Sequence, residues 1–322
     1  MTPQEFEKNI VRHGELIPCK TAFIDAHTPG SNQKENFTII GAGVSESADQ
    51  HVHIRTTPGF NIGAAGQPPK CHNSLHSHRT AEVFFVQSGR WRFFWGRHGD
   101  AGEVILEQGD IFNIPTGMFR GFENIGTDYG MIMAVLGGDD AGGGVIWAPE
   151  VINDAKFHGL VLGDNGTLYD TKQGETLPAD VKPMPVMTAE ELANLQNPTA
   201  ADVVPFYIAR YWDLMALAQQ QPAKVIGEDA VIRDRPGFEM DFITDGSIDA
   251  NFYQSDQPEV LMPVKGHWRL NWEGGSTVLN SGDTAFVPAG TPHAVEPSMT
   301  GEVSMYRVRG TDDSAGPTMP LG

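Results

Sequence analysis

Short apolar runs rich in β-branched and aromatic residues, each closed by glycine, proline or a polar cluster, recur along most of the chain. Runs this short predict strands joined by turns rather than long helices. The clearest pattern occurs twice. EVFFVQSGRWRFFWG from Glu82 and EVLMPVKGHWRLNWEG from Glu259 align at one constant offset, pairing Glu82 with Glu259, Gly89 with Gly266, Trp91 with Trp268 and Trp95 with Trp272. Further on, LEQGDIFNIPTG and LNSGDTAFVPAG align Leu106 with Leu279, Gly109 with Gly282, Asp110 with Asp283, Pro115 with Pro288 and Gly117 with Gly290. The offset changes in the intervening hairpin, RHGDAGEV in the first copy. Each copy reads as strand, glycine turn, strand, and then Gly-Asp opening a new strand that closes at Pro-x-Gly.

Two such units with further strands before them predict an all-β chain of two small antiparallel barrels. The expected division is an N-terminal extension at 1–34, a first barrel at 35–137, a linker at 138–224 and a second barrel within 225–322. The linker is expected to be mixed and partly helical. It begins in the glycine-rich GGDDAGGGVIW, and Thr188 with Glu191 has the spacing of a helix capping box. VVPFYIARYWDLMALAQQ fits both a helix and a strand, and its pattern alone does not choose.

Charge narrows the partners. The 322 residues carry 41 acidic against 22 basic side chains, a net charge of −19, so the surface is expected to repel nucleic acid and anionic membranes. No apolar run approaches the length of a membrane span, and the N-terminus lacks the apolar stretch of a secretory signal. Cys19 and Cys71 are the two cysteines, too few for a disulfide framework. A cytoplasmic protein acting on a small molecule is the expectation.

In HSHRTAEVFFVQSG, the residues His76, His78 and Glu82 have even spacing, which on a strand brings them to one face. Two imidazoles and a carboxylate form a ligand set suited to Fe(II) and related divalent ions. At these residues the chain resembles the cupins. Their first motif, H-x-H followed by Glu and Gly, is met by His76, His78, Glu82 and Gly89, although Lys70 stands where a further Gly is usual. Their second motif is met by Gly109, Pro115, Gly117 and Asn124, with Arg120 in place of its His. The second copy keeps Glu259, Gly266, Gly282, Pro288, Gly290 and His293, but has Tyr253 and Ser255 at the H-x-H positions and Pro297 at the final Asn.

The resemblance is to bicupins and implies a double-stranded β-helix in each half. It also implies a divalent metal, Fe(II) foremost with Mn, Ni or Zn as alternatives, and an assembly of identical subunits. Ring-cleaving dioxygenases acting on quercetin or gentisate are the nearest functional comparison. The expected function is therefore metal-dependent dioxygenation of a small anionic aromatic or enolic acid. A metal-dependent isomerase or lyase using Glu82 or a nearby base is one rival, and a non-enzymatic small-molecule-binding bicupin is another.

Arg120 keeps its proton and cannot ligate. An ion beside one carboxylate carries net +1, and a guanidinium ~4 Å away opposes it by ~4 kcal/mol at an effective dielectric near 20. Three readings follow. Arg120 binds a substrate carboxylate or enolate; or it pairs with Glu82 and the site is metal-free; or His72, in register with His76 and His78, completes the metal site while Arg120 points away. Trp91 and Trp95 are candidates for contact with a substrate ring, against the plainer account of barrel packing. The second site, Tyr253, Ser255, Glu259 and His293, is expected to be degenerate, with Glu259 and His293 paired to each other.

Overall fold

The chain's structure, a computed structural model, describes residues 1–138, 144–232 and 237–311. Most of the expected GGDDAGGG exit, 139–143, thus lies outside the described residues. The chain folds as two barrels, each made of two facing sheets. In the first, a seven-stranded sheet runs in the order 208–209, Ile111–Ile114, Glu82–Ser88, Gly130–Gly137, Phe60–Gln67, Glu35–Ile40, Val52–Ile54. It faces a five-stranded sheet ordered Ile146–Trp147, His72–Ser77, Arg120–Asn124, Arg90–Trp95, Gly102–Glu107. In the second barrel a six-stranded sheet, Ile10–Val11, Thr284–Val287, Glu259–Lys265, Ser304–Gly310, Phe238–Thr244, Ala223–Ile226, faces the three strands Gly275–Asn280, His267–Trp272 and His293–Pro297.

Burial explains the two textures of the repeated segment. Val83 and Phe85 point out of the first barrel into a core shared with Val260, Met262, Tyr306 and Val308 of the second, whereas Phe84 and Val86 point inward. Both faces are covered, so VFFV is continuously apolar. The next strand, RWRFFW, has one wet face, and its burial alternates, as it does in HWRLNW. The turn between them needs glycine. Gly89 and Gly266 lie at φ 89° and 71°, and a Cβ at Gly266 would stand 2.8 Å from the Glu302 carbonyl.

The N-terminal extension and the linker each close the barrel that does not follow them. Helix Pro3–Glu7 and strand Ile10–Val11 lie on the second barrel, with Phe6 stacked on Trp272 at 4.2 Å. Arg12 and the His13 backbone N–H then donate to Asp283 at 3.0 and 2.9 Å. The linker repeats this on the first barrel. Helix Ala200–Tyr207 leads into strand 208–209 beside Ile111–Ile114, and Arg210 with the Tyr211 N–H donates to Asp110, both at 2.8 Å. The ambiguous VVPFYIARYWDLMALAQQ therefore holds helix, strand and a second helix, Tyr211–Leu217: Ile208 turns extended to pair with Phe112, and Asp110 holds Arg210 and the Tyr211 N–H between the two helices. Among the described residues no helix is long and apolar enough to cross a membrane.

Candidate metal and ligand site

His76 and His78 stand at and just beyond the end of strand His72–Ser77, and Glu82 opens the next strand. All three are buried, and their ligand atoms lie within 4.8 Å of one another. His76 Nδ1 is 2.7 Å from the Ser74 carbonyl, and His78 Nδ1 is 3.2 Å from the Gly144 carbonyl. A carbonyl can only accept, so each Nδ1 carries the proton and each Nε2 keeps its lone pair free. Burial, with the nearby Arg120 charge, holds His76 well below the usual imidazole range, and burial brings His78 down to about 4. Both rings are thus neutral at pH 7, the form that ligates. With an adjacent carboxylate oxygen, this donor set fits a divalent ion such as Fe(II), Mn(II), Ni(II) or Zn(II).

Arg120 opens strand Arg120–Asn124 directly opposite His76. It is 1% exposed; Nη1 donates to the His76 carbonyl at 2.9 Å and Nη2 donates to Glu82 Oε2. A guanidinium so deep in the protein requires an anion, and Glu82 supplies it. Arg120 does not line the cavity. Its placement corresponds to the pairing with Glu82 and differs from the expected contact with substrate.

The cavity beside the triad has a volume of about 70 Å³ and is partly open to solvent. Phe37, Phe84, Phe122, Ala134, Leu136 and Trp147 make it mostly apolar, and His76, His78 and Glu82 are part of its lining. The indoles of Trp91 and Trp95 are elsewhere: both are fully buried in the barrel core, and their Nε1–H groups donate to the carbonyls of Ser88 and Pro198. They pack the barrel and do not touch the cavity, which corrects their assignment to substrate contact.

His72 also departs from expectation. Arg120 faces His76 while Phe122 faces Asn73, so strand His72–Ser77 carries one extra residue between these pairs. That bulge reverses the side-chain parity. Asn73 takes the wall of the cavity, and His72 turns to the far side against Gly30.

Three contributors come from outside the repeated motifs. Trp147 sets its ring 5.3 Å from that of His76 and donates its Nε1–H to Glu46 Oε1 at 2.7 Å. Glu46 also accepts from the Ile24 N–H, and burial of its carboxyl pushes it up to about 8. Lys34 and Asp25, fully buried, form an ion pair beneath the same wall, and Lys34 Nζ donates to Asn73 Oδ1 at 2.8 Å.

In the second barrel Glu259 sits in a network of polar and charged side chains. Glu259 accepts from Tyr253 Oη at 3.0 Å and stands 3.1 Å from His293 Nε2. Arg307 and Arg309 approach its other oxygen at 3.6 and 3.7 Å while both donate to Asp241. Although burial opposes it, the His293 contact and the two guanidinium charges hold Glu259 below the usual carboxylate range. Ser255 takes no part in this network; its carbonyl and hydroxyl accept from the backbone N–H groups of Gly290 and Gln257.

Residues 66–136 match the cupin domain. No curated protein matches the chain significantly in sequence. Among solved structures, the salicylate 1,2-dioxygenase of Pseudaminobacter salicylatoxidans is 15% identical with a TM-score of 0.53, covering 93% of this chain and 82% of its own. The oxalate decarboxylase of Lactobacillus farciminis, in complex with formate, is 13% identical with a TM-score of 0.52, covering 97% and 88%. A mutant oxalate decarboxylase of Bacillus subtilis is 13% identical at 0.50, covering 97% and 79%. At these identities the likeness is one of fold. The chain thus carries a cupin domain at 66–136 and, across its two barrels, has the bicupin fold.

Proposed function

We propose that the first barrel is a metal-dependent active site and that the second supports it. The observation that carries this reading is the pair of neutral imidazoles, each tethered through Nδ1 and presenting Nε2 beside Glu82 in the lining of a mostly apolar cavity. The favoured reaction is dioxygenation of a small anionic aromatic or enolic acid, with Fe(II) as the ion. An ion held by His76, His78 and Glu82 would supply Lewis-acid polarisation and oxygen chemistry. The chain's own residues do the rest. Ser74 and Gly144 fix the tautomers, Arg120 anchors Glu82 from behind and offsets its charge, and the phenylalanine and leucine walls exclude water and strengthen every polar contact inside. Salicylate and oxalate, named for the proteins of similar fold, are both small acids, in line with this substrate class. A cytoplasmic homo-oligomer completes the proposal, and light scattering tests the assembly.

The test combines elemental analysis with oxygen uptake. Stoichiometric transition metal, and oxygen consumed with an aromatic or enolic acid, are expected. Metal without oxygen uptake on a turned-over substrate would favour the isomerase or lyase alternative. The Arg120–Glu82 ion pair favours a further reading, a metal-free ligand-binding bicupin, because the carboxylate already has a cation. Protein that contains no transition metal and takes none up on titration would establish that reading and remove ours.

A further inference from the structure

Arg120 is committed to Glu82 and the His76 carbonyl and does not line the cavity, so the polar head of a ligand must be recognised by something else. Asn73 lines the cavity, is 4% exposed, and takes a hydrogen bond on Oδ1 from Lys34 Nζ at 2.8 Å. An ammonium only donates, which fixes the amide: oxygen toward Lys34, NH₂ away from it. Lys34 is itself locked by its buried ion pair with Asp25, and Asp25 Oδ2 accepts from the Ser74 N–H at 3.1 Å, at the bulge that turns Asn73 inward. The Nδ2 group of Asn73 has no protein partner among the described residues. Neither does the buried Nδ2 of Asn36, on the same cavity. A core asparagine with a purely structural role satisfies its amide within the protein. These two carboxamides leave donors unpaired at a wall that is otherwise mostly apolar.

We propose that Asn73, oriented by Lys34 and aided by Asn36, is the specificity-determining donor that binds the carboxylate or enolate oxygen of a small acid, whose apolar body lies against Phe84 and Leu136. The assignment rests on the first-barrel cavity being the ligand site. Charge-neutral donors suit this position. They hold an anionic oxygen without adding a further cation to a site built for a divalent ion.

The test uses benzoate and toluene as probes, with calorimetry on the full chain and a separate Mn(II) titration. Asn73→Asp keeps an acceptor for Lys34 and removes the donor; Asn73→Leu removes both. Each is expected to weaken benzoate binding by at least about tenfold, while toluene binding stays at the wild-type level in both and Mn(II) uptake stays there in Asn73→Leu, which adds no charge. Benzoate affinity unchanged in both variants would overturn the assignment. So would loss of toluene binding together with benzoate in both, which would mark Asn73 as structural, or a wild-type protein that takes up Mn(II) but not benzoate. Benzoate binding that depends on Asn73 in a protein that takes up no metal would uphold the assignment and reject the metal-dependent reading instead.

Discussion

Leu136 and Arg309 occupy the same place in the two barrels: Leu136 is the cross-strand partner of Glu82, and Arg309 is that of Glu259. One strand position earlier on the same face, Ala134 answers to Arg307, and their partners are Gly63 and Asp241. Small and apolar residues at these positions leave the first barrel hollow. Charged ones fill the second with an ion-pair network. The two sites thus differ at three interior positions as well as at the H-x-H positions, where the second has Tyr253 and Ser255.

Leu136→Arg should import that state into the first barrel. A guanidinium there has no free anion, since Glu82 already serves Arg120, and it opposes a bound ion by ~4 kcal/mol at ~4 Å and an effective dielectric near 20. Metal titration should show uptake abolished, with Leu136→Met retaining it. Full uptake by Leu136→Arg would mean that the ion does not bind near this wall.

Arg120→His should tighten metal binding by at least about tenfold, by removing an opposing charge and offering a further imidazole. Arg120→Met should bind metal too but lose stability, by about 3 kcal/mol in the metal-free protein, because Glu82 is left buried without a partner. Chelator competition and denaturant unfolding measure the two effects. Weaker metal binding in Arg120→His would show that Arg120 assists the ion, through its hold on Glu82, more than it repels it.

Glu46 predicts a pH dependence. Burial first, and then the neighbouring Asp25, raise its carboxyl to about 8, opposed by its hydrogen bonds from Trp147 and Ile24 and by the charge of Lys34. The folded protein therefore binds a proton that the unfolded chain releases above its own, ordinary carboxyl pKa. The contribution to stability is complete below that ordinary value and declines as pH rises toward about 8. Unfolding measured from pH 5 to pH 8 should show this decline in the wild type and a flatter profile in Glu46→Gln. Identical slopes would place the Glu46 carboxylate in contact with water.

Legibility in the sequence followed locality. The two barrels, the strand-turn-strand repeat and the triad were readable because Glu, Gly, Asp and Pro-x-Gly mark turns and faces within a few residues of each other. Long-range partners were not. The Ile-x-Arg of Ile10–Arg12 recurs at Ile208–Arg210, but what each closes is an aspartate far away in sequence, Asp283 or Asp110. Lys34, Asp25, Glu46 and Trp147 meet the site through chain crossings that no spacing encodes. Arg120 was ambiguous for the same reason: its charge demanded an anion, and only the fold identifies that anion as Glu82.

The swapped closing segments carry their own prediction. Arg12→Met removes the hydrogen bonds donated to Asp283 and to Thr277 and the Val278 carbonyl of strand Gly275–Asn280, and should cost about 2 kcal/mol. Hydrogen exchange should quicken in Thr284–Val287 of the second barrel and not in Ile111–Ile114 of the first, although Arg12 precedes the first barrel in sequence. Arg210→Met should do the reverse. Faster exchange in the first barrel on Arg12→Met would contradict the crossed arrangement.

His72 and His76 differ by one turn of parity, and a pair of substitutions separates them. Simple alternation places both on one strand face, which would let either ligate. The extra residue between Asn73 and His76 sends His72 against Gly30 and gives its cavity position to Asn73. His76→Ala should therefore abolish metal uptake, and so should His78→Ala, while His72→Ala should leave both stoichiometry and affinity as in the wild type. The bulge itself is held by Asp25 accepting from the Ser74 N–H. Asp25→Ala should therefore loosen the Ser74 carbonyl that fixes the His76 tautomer, lowering metal affinity without removing a ligand. Loss of uptake in His72→Ala, with the fold intact by circular dichroism, would return His72 to the ligand set and require a straight strand in the metal-loaded protein.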